Sequence, residues 1–248
     1  MQIKKIIVSQ NAPKLMQSYT ELGNKYGITI DFVPFFTIQP VSSMEIRAQR
    51  CNVNDFSAIV FSSRTTIDAF FSLCEELRVR IPDTMKYFCT NEKVANYLQK
   101  HIVYRKRKIF YGDGTPSSIL NLITTKHKDD NFLIVTSDNK NNSVTRVFEG
   151  SSYKFSSAIF AKSVMSDLSS QNLESYDAFV FCNKMDVTSL LQNCPDFKQE
   201  ERPIITYGAS ASLKSALSEA GLSETPNAPG PNCPSLVAAI ENILKQNN

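Results

Sequence analysis

Among 248 residues there is no tryptophan, only two histidines (His101 and His127), and few glycines (8) or prolines (11). That scarcity excludes collagen-like and low-complexity chains. A hydrophobic content of 42% with 21% charged residues is globular usage, not that of a disordered chain. Apolar runs are short, as at Ala58 to Phe61, and none approaches the roughly 20 residues of a membrane-spanning helix. No export signal is read at the N-terminus, where only Ile6, Ile7 and Val8 follow Lys4 and Lys5 before polar residues begin. The six cysteines (Cys51, Cys74, Cys89, Cys182, Cys194, Cys233) include no Cys-x-x-Cys pair, and neither histidine has a second ligand at metal-binding spacing. A disulfide framework and a zinc site are therefore not expected, and reduced thiols point to the cytoplasm. A net charge of +3 is too small to argue for nucleic acid. The one dense basic stretch, Tyr104 to Lys108, is read as the solvated entry to a strand.

What is there is an internal resemblance of the chain to itself. "DFSAIVFSSRTTIDAFF" (Asp55 to Phe71) lies without a gap on "SYDAFVFCNKMDVTSLL" (Ser175 to Leu191), pairing Ala58 with Ala178, Val60 with Val180 and Arg64 with Lys184. Met85 to Leu98 lies on Ile204 to Leu217, and Ile6 to Gln10 corresponds more weakly to Leu133 to Ser137. Each block is an apolar strand-like run, a polar turn and a helical pattern. In the first helix Leu15, Tyr19, Leu22 and Tyr26 recur at helical spacing, with Gly27 placed for a left-handed cap.

Continuous apolar strands alternating with amphipathic helices imply parallel sheets covered on both faces. The fold class is thus α/β, with two doubly wound, flavodoxin-like domains of about five strands each. The extended, proline-bearing run Phe32 to Val41 and its partner Ala158 to Leu168 are read as two β linkers. They predict a discontinuous domain of residues 1–36 and 168–248 and an inserted one of residues 37–167.

In doubly wound sheets ligands bind outside the carboxyl ends of the strands, where helix N-termini attract anions. Hydroxyls and amides recur there: Ser62, Ser63, Arg64 and Thr65; Thr90 and Asn91; Thr136, Ser137 and Asp138; and, in the other domain, Ser9, Gln10, Asn183, Lys184, Gly208 and Ser210. Any one of them is explained by helix capping, and only their recurrence argues for a ligand. The glycine-rich dinucleotide fingerprint, the Walker loop, the nucleophile elbow and the His-Glu-x-x-His motif are all missing. "YGDGTPSS" (Tyr111 to Ser118) lacks the lysine of a phosphate loop and is read as a strand-to-helix turn capped before Pro116. No nucleotide cofactor is expected. The acidic pairs Glu75 with Glu76 and Asp129 with Asp130 are read as solvated.

Taken in order, "AIVFSSRTTIDAFF", "AFVFCNKMDVTSLL", "ITYGASASLKSALSEAGL" and "CPSLVAAIENIL" resemble the uroporphyrinogen-III synthase family over nearly the whole chain. The segment Asp83 to Gly112 is similar to the branch of that family found in Bacteroidetes. The resemblance implies two domains joined by two linkers around a deep cleft. It also implies cyclisation of hydroxymethylbilane with inversion of the last pyrrole ring and loss of water, no cofactor, and a monomer without nucleic-acid or membrane partners. Carried residue by residue, it puts substrate against Ser62, Ser63, Arg64, Thr90, Asn91, Ser137, Cys182, Asn183, Lys184, Gly208, Ala209 and Ser210. The chain departs from the family pattern at three places. Ala161, after Phe160, stands where a linker tyrosine is common; Cys182 and Asn183 replace a Ser/Thr-Ser pair; and Gly208 to Ala211 replaces a Gly-x-x-Thr-Ala turn. A non-catalytic two-domain module closing on an anionic, tetrapyrrole-like ligand is the competing reading.

Overall fold

The structure is a computed structural model that describes residues 2–103, 105, 107–123, 125–138, 143–208, 211–228 and 233–247. In chain order the first elements are β1 (Lys5–Val8), α1 (Gln17–Tyr26), β2 (Thr29–Phe32), β3 (Phe36–Pro40), α2 (Ser43–Ala48), β4 (Ala58–Phe61), α3 (Arg64–Glu76), β5 (Lys86–Cys89), α4 (Glu92–Leu98) and β6 (Ile109–Tyr111). There follow α5 (Ser118–Leu122), β7 (Phe132–Ser137), α6 (Ser143–Glu149), β8 (Phe155–Met165), β9 (Ala178–Phe181), α7 (Lys184–Asn193), β10 (Ile204–Tyr207), α8 (Ala211–Glu219), β11 (Thr225–Ala228) and α9 (Leu236–Asn247). The chain divides into two compact units, Met1–Thr37 with Met165–Asn248, and Ile38–Val164.

The first unit holds a five-stranded sheet in the order β11-β10-β9-β1-β2, parallel throughout. Successive strand residues point to opposite faces, so an all-apolar strand needs cover on both. Ile6, Val8, Ala178 and Val180 pack against Leu22 of α1 and Ile240 and Leu244 of α9. Ile7, Phe179 and Phe181 pack the other way, against Val187 and Leu190 of α7 and Leu213 and Leu217 of α8. Helix α1 ends where Gly27, at φ +64°, takes up the left-handed cap. Leu15 does not join it: the helix starts at Gln17 and Leu15 is 85% exposed.

The second unit holds a six-stranded sheet in the order β3-β8-β7-β4-β5-β6. Ile59, Phe61 and Val135 face Ile67 and Phe70 of α3, while Val60, Phe88 and Ile134 face Ile119 of α5 and Phe148 of α6. Without β3 its order repeats that of the first sheet when β7, β8, β4, β5 and β6 are matched to β1, β2, β9, β10 and β11. The self-alignment of the sequence pairs the same strands, β4 with β9 and β5 with β10. Both orders are those of doubly wound sheets.

The chain passes from one unit to the other within β3 and at the end of β8, and these strands are hydrogen-bonded neighbours. Strand β8 is longer than a connector needs to be. From Phe155 to Ala161 it pairs parallel with β7, with a register shift between Thr136 and Ser137 that passes over Phe160. Such a bulge lets two successive side chains turn inward: Phe160 and Ala161 are 1% and 0% exposed.

Two sequence expectations fail here. Asp130 is not solvated: it is buried before β7, where its carboxylate accepts from Ser57 Oγ at 2.8 Å and Lys86 Nζ at 2.7 Å, with His127 Nδ1 3.4 Å away. A carboxylate so placed needs paired donors, which come from residues distant in sequence. The Tyr111 to Ser118 segment does turn from β6 into α5, but without the expected cap before Pro116. Asp113 Oδ1 accepts from Thr115 N and Oγ1 at 2.8 and 2.6 Å in a separate turn, and α5 begins only at Ser118, with no side-chain cap.

Candidate functional site

In the second unit the turn after β4 is a helix N-terminus of the usual kind. Ser63 is the N-cap of α3, extended at φ −151° and ψ 162°, and its Oγ accepts from Thr66 N at 3.2 Å. Thr66 Oγ1 returns a bond to Ser63 O at 2.9 Å. Among the described residues nothing accepts from the N–H groups of Ser63, Arg64 or Thr65. The Arg64 guanidinium lies 5.4 Å from the centre of the Tyr97 ring, and the Tyr97 hydroxyl donates to Asp68 at 2.7 Å.

The neighbouring turns are knitted to this one. Thr90 N donates to Phe61 O at 3.1 Å and Thr90 Oγ1 to Ser62 O at 3.3 Å; Gly114 N closes on Thr90 O at 2.8 Å. Asn91 caps α4 through Oδ1 and Val94 N at 3.0 Å. Gly112 is required by crowding, because a Cβ there would sit 2.0 Å from Ser118 Oγ. Ser137 ends β7, which pairs with β4, and the next residue, Asp138, accepts from Ser163 N of β8 at 2.8 Å. Ser62, Ser63, Arg64, Thr90, Asn91 and Ser137 thus gather at one end of one sheet. Thr90 and Asn91 spend their polar groups on holding the turns.

In the first unit the corresponding turn follows β9. Asn183 caps α7 at φ −146° and ψ 152° through Oδ1 and Met185 N. Here the third helical residue is Asp186, fully buried, whose Oδ2 accepts from Cys182 N and Asn183 N at 2.8 Å each. Asp186 Oδ1 has no hydrogen-bond partner among the described residues. Neither has Ser9 Oγ, which is buried beside Asp186 and Cys182 without meeting hydrogen-bond geometry. Burial pushes the Asp186 carboxyl up, against the pull of its N–H donors. Burial and the nearby Asp186 push the Cys182 thiol up to about 12, so it stays protonated and is no nucleophile. Gly208, at φ +89°, turns the chain after β10; Ala209 and Ser210 lie outside the described residues.

Periodicity could not show which N–H groups these turns leave open. The signal was present in the self-alignment, where Thr66 falls on Asp186. The place matched to the family's linker tyrosine, Ala161, is a core position of β8 whose carbonyl accepts from Asp138 N at 3.0 Å. Among the described residues no group of three or more His, Cys, Asp or Glu could hold a metal ion.

Two parallel α/β units that end their strands in capped helix N-termini, with no activated thiol in those turns, define a class of protein suited to holding anions. The family profile described as uroporphyrinogen-III synthase HemD matches residues 17–238, and the chain belongs to that family. No curated protein sequence matches it. Among solved structures it is similar to the uroporphyrinogen-III synthetase of Helicobacter pylori, with 18% identity, a TM-score of 0.62, and coverage of 98% of this chain and 100% of that one. It is also similar to a mutant uroporphyrinogen III synthase of Thermus thermophilus, with 15% identity, a TM-score of 0.52 and 98% of each chain covered. At these identities the likeness is one of fold.

Proposed function

We propose that the chain cyclises hydroxymethylbilane to uroporphyrinogen III. The observation that carries this reading is the family match over residues 17–238. The chemistry asks little covalent work of the protein. The terminal hydroxyl leaves with a proton as water, giving an electrophilic azafulvene-like ring. The exocyclic methylene carbon of that ring is attacked by the already substituted alpha-carbon of the last pyrrole to give a spiro intermediate; that carbon's original bond to its bridging methylene then breaks, the methylene recloses on the free alpha-carbon of the inverted ring, and the proton there is lost. The sum is substrate to product plus water, with no change of oxidation state.

The protein's part is to hold a polycarboxylate in the curled geometry that favours inversion, and to stabilise charge as the hydroxyl departs. In this reading the open N–H groups of Ser63, Arg64 and Thr65 bind carboxylate in the second unit, with the Arg64 cation beside them. In the first unit the Asn183 N–H is already occupied by Asp186, so Lys184 and the turn at Gly208 carry that side. Hydroxyl departure relies on hydrogen-bond donation and not on a linker phenol, because Ala161 offers none. The working species is a cytoplasmic monomer, which size-exclusion chromatography at assay concentration tests.

The decisive assay mixes hydroxymethylbilane with the protein and separates the oxidised products as type I and type III porphyrins. Type III in excess over the spontaneous mixture is expected. Product no richer in type III than the protein-free control overturns the reading in favour of a binding module.

A further inference from the structure

At the amino ends of β5 and β6, the opposite end of the second unit's sheet from Ser63 and Thr90, lies a cavity of about 610 Å³. Its size is that of a small-molecule site. Val79, Ile81, Met85, Ile102 and Ile109 give it an apolar lining. Two of the lining residues are aromatic and stacked on each other, the Phe71 ring and the His101 imidazole at 4.6 Å and 8°.

Two further features make it more than a hydrophobic hollow. Tyr87 lines the cavity, is only 5% exposed, and its hydroxyl makes no hydrogen bond among the described residues. Burial pushes that hydroxyl up to about 12, so it remains a donor at neutral pH. Its ring is buried, while its hydroxyl reaches the cavity space, where a ligand acceptor can take the place of water. Arg105 and Lys108 also line the cavity and form no ion pair among the described residues. Lys108 directly precedes Ile109, the ladder partner of Tyr87, and the Tyr87 N–H donates to Lys108 O at 2.7 Å. The acidic lining residues, Glu75 and Asp83, come from α3 and the connection before β5.

We propose that this cavity binds a small planar aromatic anion, its ring against Phe71 and His101, its charged group facing Arg105 and Lys108, and Tyr87 donating to it. The site shares no residue with those assigned to hydroxymethylbilane above and does not depend on that assignment.

Fluorescence titration of the full chain with anilinonaphthalene sulfonate, and with N-phenylnaphthylamine as the same ring system without the charge, tests the proposal. One sulfonate probe per chain is expected. The double variant Arg105→Glu with Lys108→Glu should weaken it at least tenfold and leave the neutral probe within about twofold. The control Arg47→Glu with Lys154→Glu makes the same change of net charge elsewhere in the unit and should alter neither. Tyr87→Phe should weaken the sulfonate several-fold, and Ile81→Trp should displace both probes. Unfolding midpoints identify any variant that fails to fold, and the two charge-reversal pairs, at exposed side chains except the half-buried Lys108, keep the comparison intact in that case. Equal weakening by the two charge-reversal pairs, or sulfonate affinity unchanged by the Arg105 and Lys108 reversals, overturns the proposal.

Discussion

The turn after β4 and the turn after β9 have nearly the same backbone: N-caps Ser63 and Asn183 are both extended, at φ −151° and −146°. They differ in what the third helical residue does. Thr66 uses its hydroxyl on Ser63 O, and Ser63 N–H remains open. Asp186 reaches back to Cys182 N–H and Asn183 N–H, and closes the turn from within. Closely similar local folds therefore leave the N–H groups of the turn open in one unit and fill them with an internal carboxylate in the other. Repetition of a motif is no guarantee of repetition of its use.

The sharpest way to break this comparison is through stability. Asp186→Ala strips the partners from two N–H groups and leaves space in a buried position, and should cost about 2–4 kcal/mol by urea denaturation. Thr66→Ala should cost about 1 kcal/mol or less. Equal losses would mean that the carboxylate is not what holds the first unit's turn.

Next in size is Thr66→Asp, which copies the closed turn into the second unit. With carboxylate in reach of Ser63 N–H, KM for hydroxymethylbilane should rise about tenfold, the equivalent of one charge-assisted hydrogen bond. Stability should be unchanged or slightly higher, because an acidic residue suits a helix N-terminus. An unchanged KM would remove Ser63 N–H from the substrate's path.

Proline at position 64 sharpens the same point. At position 63 it would conflict with the extended φ of Ser63, whereas the first helical residue tolerates it, and an extended preceding residue suits it. Arg64→Pro removes one open N–H; Arg64→Ala removes the same side chain and keeps that N–H. The proline variant should show a KM roughly fivefold above the alanine variant at similar melting temperature. Identical KM values would argue that only the guanidinium matters.

Smaller effects are expected from charge. Arg64→Glu and Lys184→Glu should each raise KM a few-fold at low ionic strength, with the difference shrinking as salt is added. No salt dependence in either would contradict a Coulombic role.

The smallest effect is on pH dependence. The Asp186 carboxyl is held above its ordinary value of 3.8, so the stability it contributes is full below the unfolded value and is lost as pH rises through the folded one. The stability of the native chain relative to Asp186→Asn should therefore decline as pH is raised from about 3.8 towards neutrality. A difference that grows over that range would show that the N–H donors outweigh burial.

Much of the architecture was legible in the chain, because runs such as Ala58 to Phe61 and Ala178 to Phe181 are apolar on every residue, as strands covered on both faces are, and each is followed by a polar turn and a helical pattern. Helix α3 was equally plain, since Ile67, Phe70 and Cys74 return at helical spacing. Short helices were not: α2 and α5, at six and five residues, are too brief to show a period. The turns were found in the sequence, but their occupancy was not. Thr and Asp both read as polar first-turn residues, and only three-dimensional reach decides which N–H is closed. Asp130 was misread for a related reason, since its partners Ser57 and Lys86 lie 73 and 44 residues away.

A ribosome making this chain releases β1 and β2 first, yet β1 must wait for β9, and the sheet is completed only with β11. The inserted unit is one continuous stretch, Ile38–Val164, and has all its strands before β9 is translated. At roughly 5–20 residues per second, about 10–40 s separate the synthesis of Thr37 from that of Ala228. For most of that time Ile6, Ile7 and Val8 have an open strand edge, the feature that invites unwanted pairing. A chaperone that attends nascent chains would therefore find its client in β1, whose partner β9 is made only after the whole of the inserted unit.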